Sequence, residues 1–144
     1  MFKLESDAVF AATLGSATFT SGIYEGTALT TAAQSVITLD GQGQENPFWV
    51  FNIDTYFAAG AGTKIEIINS GFGASVVWNT GSYVSLGADT SFIGSIFSGG
   101  YISVGDGSNI PCGNVYTSSY VSVAAGSELI SKNCAGVGSW AGSL

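Results

Sequence analysis

A five-residue pattern recurs three times in the second half of the chain, and it limits the possible folds more than any other feature. Tyr83-Val84-Ser85-Leu86-Gly87 is followed by Tyr101-Ile102-Ser103-Val104-Gly105 and by Tyr120-Val121-Ser122-Val123-Ala124, at offsets of 18 and 19 residues. Small residues follow each copy, and a second short apolar segment comes after them. A repeat of this length with tight corners is typical of one coil of a solenoid with two or three short strands.

Alternation within the repeat predicts which side chains face the core, because successive side chains of a strand point to opposite faces. The residues expected to point inward are Val84, Leu86, Ile102, Val104, Val121 and Val123. The residues expected to point outward are Tyr83, Ser85, Tyr101, Ser103, Tyr120 and Ser122. Parallel stacking would give a Tyr column and a Ser column with about 4.8 Å between coils. The sequence therefore predicts an all-β, right-handed parallel β-solenoid with little or no α-helix.

Residues 1–144 are predicted to form a single domain. Two weaker copies, Ile37-Thr38-Leu39-Asp40 and Tyr56-Phe57-Ala58-Ala59-Gly60, place coils upstream of the clear repeat. Residues 31–134 are therefore assigned to the coils and residues 135–144 to a tail. Residues 1–30 do not keep the register and are interpreted as an N-terminal cap or assembly segment, because an open solenoid end is an edge that can recruit another chain.

Charge and residue types exclude several classes of function. The chain has three basic residues, ten acidic residues and no histidine, with a formal net charge of −7. Phosphate backbones and anionic membranes are bound by clustered cations, so we predict neither a nucleic-acid nor a membrane partner. Histidine-based nucleophilic pairs cannot form, and the acidic residues are scattered, mostly at predicted corners. We predict that the protein is not an enzyme and holds neither a cofactor nor a metal.

The two cysteines, Cys112 and Cys134, lie 22 residues apart, a little over one period of the repeat. In a chain with few charges and many Ser and Thr residues, we predict a disulfide that joins neighbouring coils. Two buried thiols are the alternative. Neither a histidine nor a CxxC pair accompanies them, which argues against a metal site.

Several stretches between residues 21 and 127 follow one another in the order of a known family. The first are Gly22-Ile23-Tyr24, Val36 through Gly43 and Phe48-Trp49-Val50-Phe51, and they are followed by Ala61 through Ile65, Ala74 through Trp78 and Ser82 through Ile96. Together they resemble the DUF3494 ice-binding proteins, whose corresponding segments include GVY, LTLDGQGD and VFIFQ. The match is long and collinear, which makes it more specific than any single motif.

The resemblance implies a discontinuous β-helix of roughly triangular cross-section that binds ice through one flat face rich in Thr, Ser and Ala. It also implies secretion. Family members have an N-terminal part and an Ala-rich flanking helix with no counterpart in this sequence, so a short form of the fold is expected. The tyrosines of the repeat stand where such faces favour small residues.

The candidate ice- or surface-binding residues form the predicted outward columns. They are Thr38, Ala58, Tyr83, Ser85, Tyr101, Ser103, Tyr120 and Ser122. Ice offers no deep pocket, so recognition must come from many groups on a rigid, flat array. The alternative interpretation is that these ladders only stabilise the sheet through cross-strand contacts.

The main hypothesis is thus an antifreeze-like protein that adsorbs to ice. The alternative is a self-assembling subunit of a filament, surface layer or virion that associates through Met1–Thr20, and a glycan-binding adhesin module is a third hypothesis. The first seven residues lack the apolar segment of a signal peptide. An extracellular or cell-surface location with no visible signal is expected, and a virion is the alternative.

Overall fold

The chain winds into six coils of three short strands each. A computed structural model describes residues 8–9, 13–70, 73–112 and 114–129. The first three coils contain β1 (Ala8–Val9), β2 (Thr13–Leu14), β3 (Ala17–Thr20), β4 (Gly22–Gly26), β5 (Leu29–Thr31), β6 (Val36–Asp40), β7 (Phe48–Ile53), β8 (Phe57–Ala59) and β9 (Lys64–Ile68). The last three contain β10 (Ser75–Thr80), β11 (Val84–Leu86), β12 (Ser91–Ile93), β13 (Ser95–Ser98), β14 (Ile102–Val104), β15 (Asn109–Cys112), β16 (Val115–Thr117), β17 (Val121–Val123) and β18 (Glu128–Leu129).

Equivalent strands of successive coils pair in parallel and build three six-stranded sheets. Sheet A contains the first strand of each coil, from β1 to β16. Sheet B contains the second strands, from β2 to β17, and sheet C the third strands, from β3 to β18. The predicted all-β parallel β-solenoid is confirmed, with the right-handed sense that parallel crossovers take. The residues that the structure describes contain no helix with the length and hydrophobicity of a membrane span.

Aromatic side chains fill the interior between the sheets. The Trp78 ring is buried and stacks on Phe51 with a centroid distance of 4.2 Å, and on Phe57 with a centroid distance of 5.2 Å. Its indole Nε1 donates a hydrogen bond of 3.0 Å to the Ile93 carbonyl. A buried Trp needs such a partner for its N–H, so this side chain is fixed by packing and by one polar contact.

The corner between sheets B and C is built in the same way in coils 2 to 6. Its third residue has a positive φ: Gln34 (63°), Gly62 (74°), Asp89 (55°), Gly107 (68°) and Gly126 (70°). A Ser or Thr always comes next: Ser35, Thr63, Thr90, Ser108 and Ser127. The Thr63 hydroxyl donates to the Gly60 carbonyl and the Thr90 hydroxyl to the Gly87 carbonyl, both at 2.7 Å. The Gly60 carbonyl also accepts from the Thr63 N–H at 3.2 Å, and the Gly87 carbonyl from the Ser108 hydroxyl at 2.9 Å. The corner carbonyls are therefore fully paired, as buried polar groups in folded proteins generally are.

The boundary predicted near residue 31 needs a correction. Thr13–Leu14 pairs with Leu29–Thr31, and Ala17–Thr20 pairs with Val36–Asp40, so the strands before residue 31 extend the sheets. The register was missed because coils 2 and 3 are longer than the repeat. Ala58 follows its partner Thr30 by 28 residues, whereas Ser103 follows Ser85 by 18. The extra residues lie where sheet C leads back to sheet A. The predicted tail, residues 135–144, lies outside the described residues.

Candidate functional site

A straight column of small side chains runs along the outer face of sheet B. Its members are paired in register, one per coil: Thr30, Ala58, Ser85, Ser103 and Ser122. The first four are half-buried, and Ser122 is exposed. Sheet B strands have only two or three residues, so each coil contributes one outward side chain from its strand. The column therefore presents methyl and hydroxyl groups with a spacing of about 4.8 Å along the solenoid axis.

A ladder of four tyrosines borders this column on the side of sheet A. The rings of Tyr56, Tyr83, Tyr101 and Tyr120 stack in sequence, with centroid distances of 5.1, 5.0 and 5.5 Å and interplanar angles of 6°, 5° and 13°. Each tyrosine comes immediately before its sheet B strand. In coil 2 the corresponding residue is Ala28, so the ladder begins at the third coil. Stacked rings turn their faces to one another, and the ladder presents ring edges and hydroxyls to the outside.

Gly and Ala residues border the column on the side of sheet C. They are Gly15, Ala32, Gly60, Gly87, Gly105 and Ala124, and each immediately follows a sheet B strand. A Cβ added at Gly87 would lie 2.7 Å from the Ala61 nitrogen and 2.9 Å from the Ala59 carbonyl oxygen of the preceding coil. Close stacking of the coils therefore requires small residues here. As a result, no large side chain projects beside the column on the side of sheet C.

Seven of the eight predicted site residues lie together on this face. Ala58, Ser85, Ser103 and Ser122 form the column, and Tyr83, Tyr101 and Tyr120 belong to the ladder. They occupy neighbouring outward positions, as the alternation predicted.

Thr38 is the exception, and its assignment to the column was wrong. It lies in β6 of sheet C, where it pairs with Thr18 and Glu66. Ile37 and Leu39 point inward on either side of it, which gives the same alternation as a sheet B strand and explains the error. Thr30 occupies the position in the column, and the corner Ala32-Ala33-Gln34-Ser35 after it is the signal that could have identified it.

The other two outer faces are chemically different. Sheet C carries charges, among them Lys64 and Glu66 on β9 and Asp40 on β6. Sheet A carries Ile23, Val50 and Val77 in register, which form an apolar column. Among the described side chains, only those of sheet B combine small size, no charge and a regular spacing from coil 2 to coil 6.

Within the described residues, no group of three His, Cys, Asp or Glu side chains could hold a metal ion. The chemistry of sheet B is that of an ordered array, with hydroxyls, methyls and phenol groups on a rigid scaffold. The predicted Cys112–Cys134 disulfide lies outside the described side chains and stays a prediction.

The model of a protein family described as ice-binding-like matches residues 3–127. The chain belongs to the ice-binding-like family. Two curated relatives are similar to it: ice-binding protein 1 of Shewanella frigidimarina (strain NCIMB 400), with 32% identity over 98 residues, and an ice-binding protein of Nostoc sp. (strain HG1), with 33% identity over 102 residues. The aligned regions cover 67% and 69% of this chain. They cover 11% and 36% of those relatives, so the chain spans only part of their length.

A solved structure of an ice-binding protein from the Antarctic ascomycete Antarctomyces psychrotrophicus superposes on this member of the ice-binding-like family with a TM-score of 0.80. The identity is 28%, and the superposition covers 90% of this chain and 64% of that one. The DUF3494 domain of the Shewanella frigidimarina protein has a TM-score of 0.77 at 25% identity, over 89% of this chain and 54% of that domain. The predicted resemblance to DUF3494 is thereby confirmed.

Proposed function

We propose that the protein adsorbs to ice through the outer face of sheet B. The observation that carries this proposal is the column from Thr30 to Ser122, in which small side chains recur in register in each coil on a chain of the ice-binding-like family. The proposed activity makes and breaks no covalent bond. It needs neither a cofactor nor a metal.

The physical basis is the regularity of the face. Each side chain of the column contributes little, but the parallel ladders hold all of them at fixed positions, so adsorption costs little conformational entropy. Methyl groups order adjacent water, and hydroxyls such as those of Ser85 and Ser103 hold water by hydrogen bonds. A lattice of water anchored at about 4.8 Å intervals can join a growing ice surface. The charged outer face of sheet C binds liquid water more strongly and is less suited to this role.

The direct test is the behaviour of ice crystals in the presence of the purified protein. We expect faceted growth, a measurable thermal hysteresis and incorporation of a fluorescently labelled protein into a growing ice hemisphere. The same label on an unrelated acidic protein of similar size is the control. Smooth discs and exclusion of the labelled protein from the ice would contradict the proposed function.

We also propose that the protein acts outside the cell or at the cell surface, where a disulfide can persist. The Cys112–Cys134 pair then closes a 22-residue loop. We expect the non-reduced protein to resist alkylation at both cysteines, and reduction to lower the free energy of unfolding by about 3 kcal/mol. Intact-mass spectrometry with and without reductant reads out the first result, and urea denaturation the second. Complete alkylation without reductant would favour two thiols instead.

The relatives named above are ice-binding proteins, which does not favour the alternative of a filament, surface-layer or virion subunit. The glycan-binding hypothesis is weakened by the ladder geometry. Sugars stack on the faces of aromatic rings, whereas Tyr83 and Tyr101 use theirs to stack on their neighbours.

A further inference from the structure

The last described coil ends in an exposed apolar surface. Val121 and Val123 occupy the inward positions of β17, in register with Ile102 and Val104. The equivalent residues in coil 5 are fully buried, whereas Val121 is 39% exposed, Val123 is 46% exposed and the neighbouring Tyr120 is 60% exposed. In the described residues, no strand pairs with the outer edge of β17. Coil 6 therefore presents a surface on which a further coil could stack.

The hydrogen-bonding groups of this edge follow from the ladder beneath it. Ile102 donates its N–H to the Tyr120 carbonyl at 3.0 Å, and the same bond recurs from Val84 to Tyr101 and from Phe57 to Tyr83. In a parallel ladder, equivalent residues point their N–H groups in the same direction. The N–H groups of Val121 and Val123 therefore point away from coil 5, to the position of a seventh coil.

The first described coil offers the matching edge. In coils 3 to 6, the N–H of the Gly or Ala after the sheet B strand donates to the preceding coil, as Gly105 does to Leu86 at 2.8 Å and Ala124 to Val104 at 2.9 Å. Gly15 is the equivalent residue of coil 1, and in the described residues no coil precedes it. A Cβ added at Gly15 would meet no atom within 4 Å, whereas at Gly60 and Gly87 it would meet the preceding coil. Coil 1 thus keeps the small residue that stacking demands.

We propose that a second copy of the chain stacks its coil 1 on coil 6 of its neighbour, head to tail. The parallel ladder of sheet B then continues without interruption. Gly15 of one copy donates to the Val123 carbonyl of the other, and the partly buried Leu14 packs on Val123, its equivalent in the register.

The composition of the two edges favours this partner over an unrelated one. Of the six strands at the two ends, β1, β2, β3, β16 and β17 contain neither a charged residue nor a proline, and β18 contains one charge, Glu128. Charges and prolines are the usual means by which proteins prevent strand edges from pairing. The end of one solenoid is a small interface, so the association is weak and concentration-dependent. A head-to-tail contact does not close, so short linear oligomers form rather than a single dimer.

The test is sedimentation velocity of the full chain without ice, from about 10 μM to about 1 mM, the range expected for a small interface. We expect the weight-average sedimentation coefficient to rise with concentration. Gly15→Val should shift the rise to at least about tenfold higher concentration, because its side chain would meet the neighbouring backbone while finding open space in the single chain. Val123→Lys should have the same effect by charging the apolar end.

Two matched variants serve as controls. Ser91→Lys adds the same charge on an outer face two coils away from β17, and Thr18→Ala alters an exposed side chain of coil 1 that points away from the edge. Both should associate like the unmodified chain. Circular dichroism and thermal unfolding show whether each variant is folded. If Val123→Lys unfolds coil 6, Gly15→Val alone still tests the contact.

A sedimentation coefficient that does not change with concentration would overturn the proposal. Association that persists in folded Gly15→Val would also overturn it, since that contact cannot then involve coil 1. Because no ice is present in these measurements, their outcome is independent of the proposed adsorption to ice.

Discussion

Replacing Trp78 with alanine should lower the free energy of unfolding by about 3–5 kcal/mol, the range found for removal of large buried aromatic side chains. Trp78 is 1% exposed and stacks on the Phe51 and Phe57 rings of the preceding coil. The substitution leaves a cavity that rigid, hydrogen-bonded coils cannot close. It also removes the partly buried hydrogen bond that the indole donates to the Ile93 carbonyl, and a lost hydrogen bond costs about 0.5–1.5 kcal/mol.

Urea denaturation followed by far-ultraviolet circular dichroism measures this effect. Phe48→Ala is the matched control, because Phe48 lies in the same sheet but is exposed. Its loss should change the free energy of unfolding by about 0.5 kcal/mol or less, as for most surface positions. Equal losses in the two variants would contradict a core centred on Trp78. A large loss at Trp78 alone supports the aromatic stack as the main source of stability between coils 3 and 4.

The solenoid was predictable because its last three coils have nearly the same length. The Tyr83 and Tyr101 copies gave the period, and alternation placed Val84, Leu86 and Val104 in the core, where they are buried. The same rule put Val123 inside, yet it is 46% exposed. Alternation predicts the direction in which a side chain points, whereas burial also needs a coil on each side. The sequence of β17 alone does not show whether a further coil covers Val123.

The error at Thr38 has a different physical cause. Ile37 and Leu39 alternate around Thr38 as Leu29 and Thr31 do around Thr30, so local pattern cannot assign either strand to a sheet. What separates them is the corner that follows. In coils 2 to 6, sheet B exits through a three-residue corner whose last residue has a positive φ and is followed by a Ser or Thr. The strand ending at Thr31 is followed by that corner, whereas the strand that contains Thr38 is not. The insertions in coils 2 and 3 hid the period by which the two strands could have been told apart.

The face assigned from these registers can be tested at its centre. Ser103→Tyr should reduce thermal hysteresis at least about tenfold, because a bulky ring at the centre of the face would cost about as much as the loss of a central hot spot, about 2 kcal/mol. The new ring would stand above the small neighbours Ser85 and Ser122, which lie in register on either side. Ice could then no longer contact the column along its length. Stability should hardly change, since the residue points outward.

Ser91→Tyr is the control for this variant. Ser91 is also half-buried, points outward from the middle of a sheet and pairs with strands on both sides, but it lies in sheet C, between Lys64 and Asn109. If sheet B is the adsorbing face, Ser91→Tyr keeps the thermal hysteresis and crystal shape of the unmodified chain. If Ser91→Tyr loses thermal hysteresis and Ser103→Tyr keeps it, sheet C binds ice in spite of its charges. If both variants keep the thermal hysteresis of the unmodified chain, the contact lies on the apolar column of Ile23, Val50 and Val77, which neither substitution changes.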